Sequence, residues 1–191
     1  AEKNFNMEKN KKNNGKMNPN DNLILETDDI KNLKKLIINR LEHHPFSQSV
    51  GINVLSIQYR KSIVALKVGE QHLNPNGTIH GGVLMTLADN AAGAAVLYTG
   101  QKTPTLDLHY RFLKPVYAGD YLIAEAEVVQ SGGRIVVIHV KIENDHQLVG
   151  DATASFYKLD SHQKEIPSEI FEKVDQYIRE NITKNKHNDS E

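Results

Sequence analysis

Val83-Leu84-Met85-Thr86-Leu87-Ala88-Asp89-Asn90-Ala91-Ala92-Gly93-Ala94-Ala95-Val96-Leu97 is apolar nearly all the way round a helix, and its reading decides the fold. A helix without a polar face is buried rather than laid on a surface. The flanking segments supply what would bury it. Upstream, Leu55, Ile57 and Tyr59 alternate, then Val64, Leu66 and Val68 alternate in return, the pattern of a hairpin over 51–69. Downstream come four strand-like stretches. The first sets Leu106, Leu108, Tyr110 and Phe112 on one side and Thr105, Asp107, His109 and Arg111 on the other. The second spans 120–130 and turns at Ser131-Gly132-Gly133. The third carries Val136, Ile138, Val140 and Ile142 and turns near Asn144-Asp145-His146. The fourth, 148–159, sets Ala152, Ala154 and Phe156 on one face.

Helices flank this core. Asp28 or Asp29 can cap a helix over 28–45, with Ile30, Leu33, Ile37, Ile38 and Leu41 at helical spacing up to Pro45. Pro167 opens an amphipathic helix over 167–183, with Ile170, Phe171, Val174, Tyr177, Ile178 and Ile182 on one side. The order is helix, two strands, helix, four strands, helix. It predicts an α+β fold in which an antiparallel sheet wraps a central apolar helix, with extra N- and C-terminal helices.

The length of 191 residues suits one domain, expected over 28–183 with its core at 46–160. Eight of the first 22 residues are Asn, interleaved with lysines, so 1–27 are expected to stay disordered, and 184–191 likewise. A formal net charge of -1 gives no field that argues for nucleic acid or an anionic membrane as partner. The absence of cysteine excludes disulfides, a thiolate nucleophile and cysteine-ligated metals. No apolar run reaches membrane-spanning length and the first residues lack the apolar stretch of a signal peptide, so a cytoplasmic location is expected.

Asp89 is the anomaly of the central helix: a carboxylate with no Lys or Arg one turn away. Burying it unpaired is costly, so it must find a partner, shift its pKa upward or face a solvated cleft. A structural pairing, for example with Arg111, is one reading. A general base or nucleophile in a pocket is the other. Gly77-Thr78-Ile79-His80-Gly81-Gly82 precedes the helix, and its glycines sit where main-chain N–H groups are unpaired and the helix dipole favours negative charge. They could equally serve tight helix packing.

Leu73-Asn74-Pro75-Asn76-Gly77-Thr78-Ile79-His80-Gly81-Gly82, with Asp89 after six intervening residues, resembles the PaaI-like branch of hot-dog-fold acyl-CoA thioesterases. The likeness continues through Thr105-Leu106-Asp107-Leu108 and the Phe112-Leu113-Lys114-Pro115 and Ala118-Gly119-Asp120 stretches, covering roughly 46–160. It implies hydrolysis of acyl-CoA to free acid and CoA. Asp89 would be the catalytic carboxylate, as nucleophile or as base. The Gly81 N–H would polarise the thioester carbonyl, and Asn74 would orient water or hold that carbonyl. Thr105 would help place the nucleophile, and His80 would brace the loop. For the coenzyme end the candidates are Arg134, Lys114 and Gly82, since Arg and Lys suit phosphate. CoA is part of the substrate, so no separate cofactor is expected. No metal is called for, because a thioester yields to a carboxylate-assisted water and an oxyanion donor. Gly81 and Asp89 lie eight positions apart, ~12 Å along a straight helix. The expectation is therefore a homodimer with composite active sites, with further assembly to a tetramer left open. The alternative is a non-catalytic hot-dog module that senses acyl-CoA.

Overall fold

The computed structural model describes residues 45–160 and 164–188. The 1–27 tail and the helix expected over 28–45, apart from its final residue, lie outside the described residues. Six strands, β1 (Ile52–Gln58), β2 (Lys61–Lys67), β3 (Thr105–Phe112), β4 (Tyr121–Ser131), β5 (Ile135–Asn144) and β6 (Gln147–Tyr157), form one sheet. The order is β1-β2-β4-β5-β6-β3, antiparallel throughout. Among the described residues three α-helices accompany it: α1 (Pro45–Val50), α2 (Gly81–Ala95) and α3 (Ser168–Asn188). This is the sheet-around-helix arrangement that the sequence predicts. What alternation along a chain cannot supply is strand order. β4 joins β2, while α2 carries the chain across the sheet so that β3 becomes the far edge beside β6.

The core lies between the sheet and α2. Leu122, Ala124, Ala126 and Val128 of β4, Val136, Ile138, Val140 and Ile142 of β5, and Ala152, Ala154 and Phe156 of β6 are all buried, each strand at period two. Size alternates across the strands. Val140 stands between Ala126 and Ala152, and Ile138 is paired with Ala154. Small residues on the helix, Ala88, Ala91, Ala92 and Ala95, let α2 settle close to this surface. The buried Ser62 hydroxyl of β2 then fixes it by donating to the Ala91 carbonyl at 2.6 Å. α2 gives way to a 3₁₀ turn over Val96–Thr99, ended by Gly100 in the left-handed region at φ 68. The regular helix therefore ends at Ala95, two residues before the end of the apolar stretch at Leu97.

The sheet's two edges differ. α3 packs on β1, burying Phe171, Val174 and Ile178, and Ser56 donates to Asp175 of that helix. α3 continues to Asn188, beyond the end expected at 183. The β3 edge has no such cover among the described residues, and Leu106 and Phe112 stand 55% and 56% exposed on it.

Pro45 opens α1, where a proline's missing N–H costs nothing in a first helical turn. One expectation needs correction: in β3 the simple alternation fails at its first residues. Thr105 pairs with Phe156 and Asp107 with Ser155, so Leu106 is the extra residue of a β-bulge. The bulge takes Thr105 out of the outward set of Asp107, His109 and Arg111. It turns that side chain to the helix-facing side, the side of its partner Phe156.

Candidate active site

The sequence makes α2 apolar all round, but one stripe of it is open. Met85, Thr86, Asp89, Asn90, Gly93 and Ala94 follow each other at helical spacing along a cleft of about 590 Å³. Phe46, Leu97, Thr103, Thr105, Leu108 and Phe156 complete its wall. Asp89 is half-buried there, and the Thr105 hydroxyl donates to its Oδ1 at 2.9 Å. The bulge in β3 makes this bond possible. Arg111 does not reach Asp89. It pairs instead with Asp151 at 2.5 Å, and His139 lies 2.6 Å from the other oxygen of that carboxylate. The pairing with Arg111 is therefore not made, and among the described residues the partner of Asp89 is a neutral hydroxyl beside a cleft.

Asn90, next in line, is held at both ends. Its amide donates to the Thr86 carbonyl at 2.9 Å and accepts from the Ser47 hydroxyl at 2.7 Å. Ser47 belongs to α1, so this bond seats α1 over the cleft and presents Phe46 to it. Sequence reasoning missed Phe46, Ser47 and Asn90. The available signal was a second polar residue in an otherwise apolar helix.

The remaining candidates gather at the other end of α2. Asn74, Gly81 and Lys114 line a second cleft with Phe112 and Pro115, of about 460 Å³. The Asn74 amide ties its own loop. Its oxygen accepts from the Asn76 N–H at 2.8 Å, and its nitrogen donates to the Thr78 hydroxyl at 3.0 Å. Gly77, at φ 77, lets the loop turn back. His80 caps α2. Its Nδ1 accepts from the Gly82 N–H at 2.9 Å, and its carbonyl accepts from the Val83 N–H at 2.9 Å. With those two donors engaged, Gly81 holds the helix-start N–H on which no acceptor is placed among the described residues. Gly81 also lies against Phe112, and a Cβ there would stand 3.0 Å from the ring. A side chain at 81 would have to displace it.

Arg134 sits elsewhere. Its guanidinium lies over the Tyr157 ring, 5.6 Å from the centroid, and donates to the Tyr157 hydroxyl at 3.1 Å. Because Tyr157 bonds the carbonyl of Pro104, just before Thr105, Arg134 belongs to the Asp89 end of the sheet and Lys114 to the Gly81 end. The predicted site residues therefore form two clusters, Asp89 with Thr105 and Asn74 with Gly81, His80 and Lys114. The unbroken helix α2 keeps them apart.

The thioesterase superfamily model matches residues 76–150, which hold the start of α2, Asp89 and the strands from β3 to β5. Acyl-coenzyme A thioesterase PaaI of Escherichia coli is 30% identical over 122 residues, 64% of this chain and 84% of that protein. Acyl-coenzyme A thioesterase 13 of Homo sapiens is 30% identical over 115 residues, 59% of this chain and 82% of its own length. The solved E. coli PaaI structure superposes with a TM-score of 0.63 over 73% of this chain and 97% of that one, at 26% identity. A Streptococcus mutans protein solved with bound acetyl-CoA superposes with a TM-score of 0.54 at 30% identity, over 56% of this chain and 86% of that one. On sequence and fold together, this chain belongs to the thioesterase superfamily, in its PaaI-like hot-dog branch.

Proposed function

We propose that the protein hydrolyses acyl-CoA thioesters in sites built by two copies of the chain. The observation that carries this reading is the separation of the two clusters by α2. Gly81 and Asp89 stand ~12 Å apart along an unbroken helix, while groups acting on one carbonyl must come within about 3–3.5 Å of it. A two-fold pairing across the uncovered β3 edge sets Asp89 of one copy beside Gly81 of the other, and does so twice. The names of the relatives and the CoA-bound neighbour support acyl-CoA as the substrate.

In this reading the Gly81 N–H, at the positive end of α2, receives the negative charge that grows on the carbonyl oxygen. The Thr105 hydroxyl occupies Asp89 Oδ1 and leaves Oδ2 for water. The carboxylate draws a proton from water as the water oxygen bonds the carbonyl carbon. The carbon–sulfur bond then breaks, and the departing sulfur leaves as the thiol of CoA with that proton. Direct attack by Asp89 Oδ2 would use the same geometry, with water cleaving the resulting anhydride. Asn74 and His80 fix the loop that presents Gly81. Lys114 of one copy and Arg134 of the other are the proposed contacts for the coenzyme phosphates.

Complementation tests the composite site. Asp89→Asn and Gly81→Pro are each expected to be inactive, the proline removing the N–H at a helix start that tolerates it. The proline ring meets Phe112 on the β3 edge, so dimer formation by Gly81→Pro is verified alongside its activity. Mixed in equal amounts and refolded, half of the dimers carry both chains and each has one intact site. Roughly a quarter of wild-type thiol release should return by random symmetric pairing. No recovery, with mixed dimers verified by mass, would place the whole site within one chain.

A further inference from the structure

The outward side chains of β3 carry a charge pattern that fits a second copy of the same strand. Beyond the bulge, Asp107, His109 and Arg111 point away from α2. Leu108, Tyr110 and Phe112 share the helix-facing side with their partners Ala154, Ala152 and Gly150. Arg111 ends an ionic row: Asp151 holds it from β6, yet its side chain is 67% exposed. Asp107 and His109 are exposed and form no ion pair among the described residues. A two-fold pairing of β3 with itself runs antiparallel, and directly opposed residues lie on one face of the sheet. Helix-facing residues must meet helix-facing ones, so the axis passes through a residue rather than between two. With the axis at His109, Asp107 stands opposite Arg111 of the second copy, and Arg111 opposite its Asp107. Leu108 then meets Tyr110, and Thr105, turned inward by the bulge, meets Phe112. Thr105 bonds Asp89 and Phe112 lies on Gly81, so this register also brings the two clusters together. An axis at Leu108 would set Thr105 against Tyr110 and leave Arg111 facing uncharged chain. An axis at Tyr110 would set Arg111 against His109 and Thr105 past the end of the opposite strand.

We infer that Asp107, His109 and Arg111 form a self-complementary charge pattern by which β3 selects a second copy of this chain in one register, with His109 beside its own copy on the axis. The inference rests on the two-copy reading above and adds the residues that align the copies. These charges sit on the outward face of the sheet, so they set the alignment without entering the site. The row of His139, Asp151 and Arg111 then runs on to Asp107 of the second copy and ties the strands of both chains together.

The chain has no cysteine, so single cysteines report the register directly. A disulfide needs Cα atoms about 4.4–6.8 Å apart. Directly opposed antiparallel residues, at about 4.5–5.5 Å, meet this, and residues two places out of register do not. Leu108→Cys, His109→Cys and Tyr110→Cys are oxidised separately, after melting curves and sedimentation on each. His109→Cys should pass almost wholly into a covalent dimer, and the other two should stay largely uncrosslinked. Asp107→Cys mixed with Arg111→Cys should crosslink where neither does alone. Asp107→Arg opposes two pairs of like charges and should raise the dimer Kd by about tenfold or more. Mixed with Arg111→Glu, it should regain most of that loss. Crosslinking at Leu108 or Tyr110 in place of His109, or an Asp107→Arg dimer as tight as wild type, would overturn the assignment. So would a dimer in which none of the three crosslinks, or no dimer at all. Thiol release from acyl-CoA is read on the crosslinked His109→Cys dimer and on wild type. Crosslinking at His109 with no turnover by either would uphold the alignment and sink the hydrolase reading. Turnover in a dimer crosslinked elsewhere would do the reverse.

Discussion

Among the described residues Asp89 keeps one fixed partner, the Thr105 hydroxyl, and that bond divides the carboxylate into a held oxygen and a free one. Substituting Asp89 by Asn is nearly isosteric and removes the proposed base or nucleophile, so kcat should fall by about 10²–10⁴-fold with substrate affinity largely kept. In the proposed mechanism Thr105 acts through Asp89 and is a positioning residue. Thr105→Val keeps the shape but removes a hydrogen bond to a charged group, worth about 1.5 kcal/mol or roughly tenfold. That loss should fall on kcat rather than KM, with activity returning in Thr105→Ser. A Val variant with unchanged kcat would detach Thr105 from the chemistry. Asp89 was legible in the sequence because a lone carboxylate in an apolar helix has few bland explanations. The side on which Thr105 lies was not, since it is set by a one-residue bulge at Leu106 that no alternation of apolar residues reveals. Ser47 and Asn90 escaped for a related reason, being joined across 43 positions of chain.

At the scale of elements, β3 is an edge strand, and ionic contacts join it to its neighbours. Arg111 of β3 meets Asp151 of β6, which His139 of β5 meets from the other side. Partial burial pushes the Asp151 carboxyl up, but the His139 and Arg111 hydrogen bonds and charges outweigh it and hold the group below the usual carboxylate range. A carboxyl with a lowered folded-state pKa contributes its full stability above the ordinary carboxylate range and loses it as pH falls through the folded value. Asp151→Asn should therefore destabilise the protein by about 1–2 kcal/mol at pH 7. The difference from wild type should hold at neutral pH and shrink in acid, from the range where free carboxylates titrate down through the lower folded-state value. Denaturant midpoints over pH 2–8 would decide it, and a gap unchanged down to the acid end would mean the carboxylate charge is not what joins the strands. The elements themselves were mostly visible in sequence, because period two in β4, β5 and β6 and the apolar run of α2 are local signals. Strand order was not, because it depends on how α2 crosses the sheet.

At the scale of the molecule, the sheet's two edges have different fates. Among the described residues α3 closes β1, whereas β3 leaves a row of pairing groups and the apolar side chains of Leu106 and Phe112 open. Open, apolar edges are avoided in chains that stay alone. The proposed pairing across β3 turns that liability into the means by which Asp89 meets a second Gly81. Assembly and activity should then rise and fall together. Leu106→Asp puts a charge on this edge, and a two-fold interface meets each substitution twice. At about 2 kcal/mol for each poorly paired buried group, the dimer should weaken by about 4 kcal/mol, roughly a thousandfold. Leu106 is more than half exposed in the single chain, so the fold itself should tolerate the change. Sedimentation and thiol release measured on the same dilution series would check this. The variant should be monomeric and inactive when dilute, regaining activity per chain as concentration restores the dimer. A monomer with full turnover per chain would end the composite-site reading. A dimer that stays inactive at every concentration would instead place Leu106 in the site, beside Thr105.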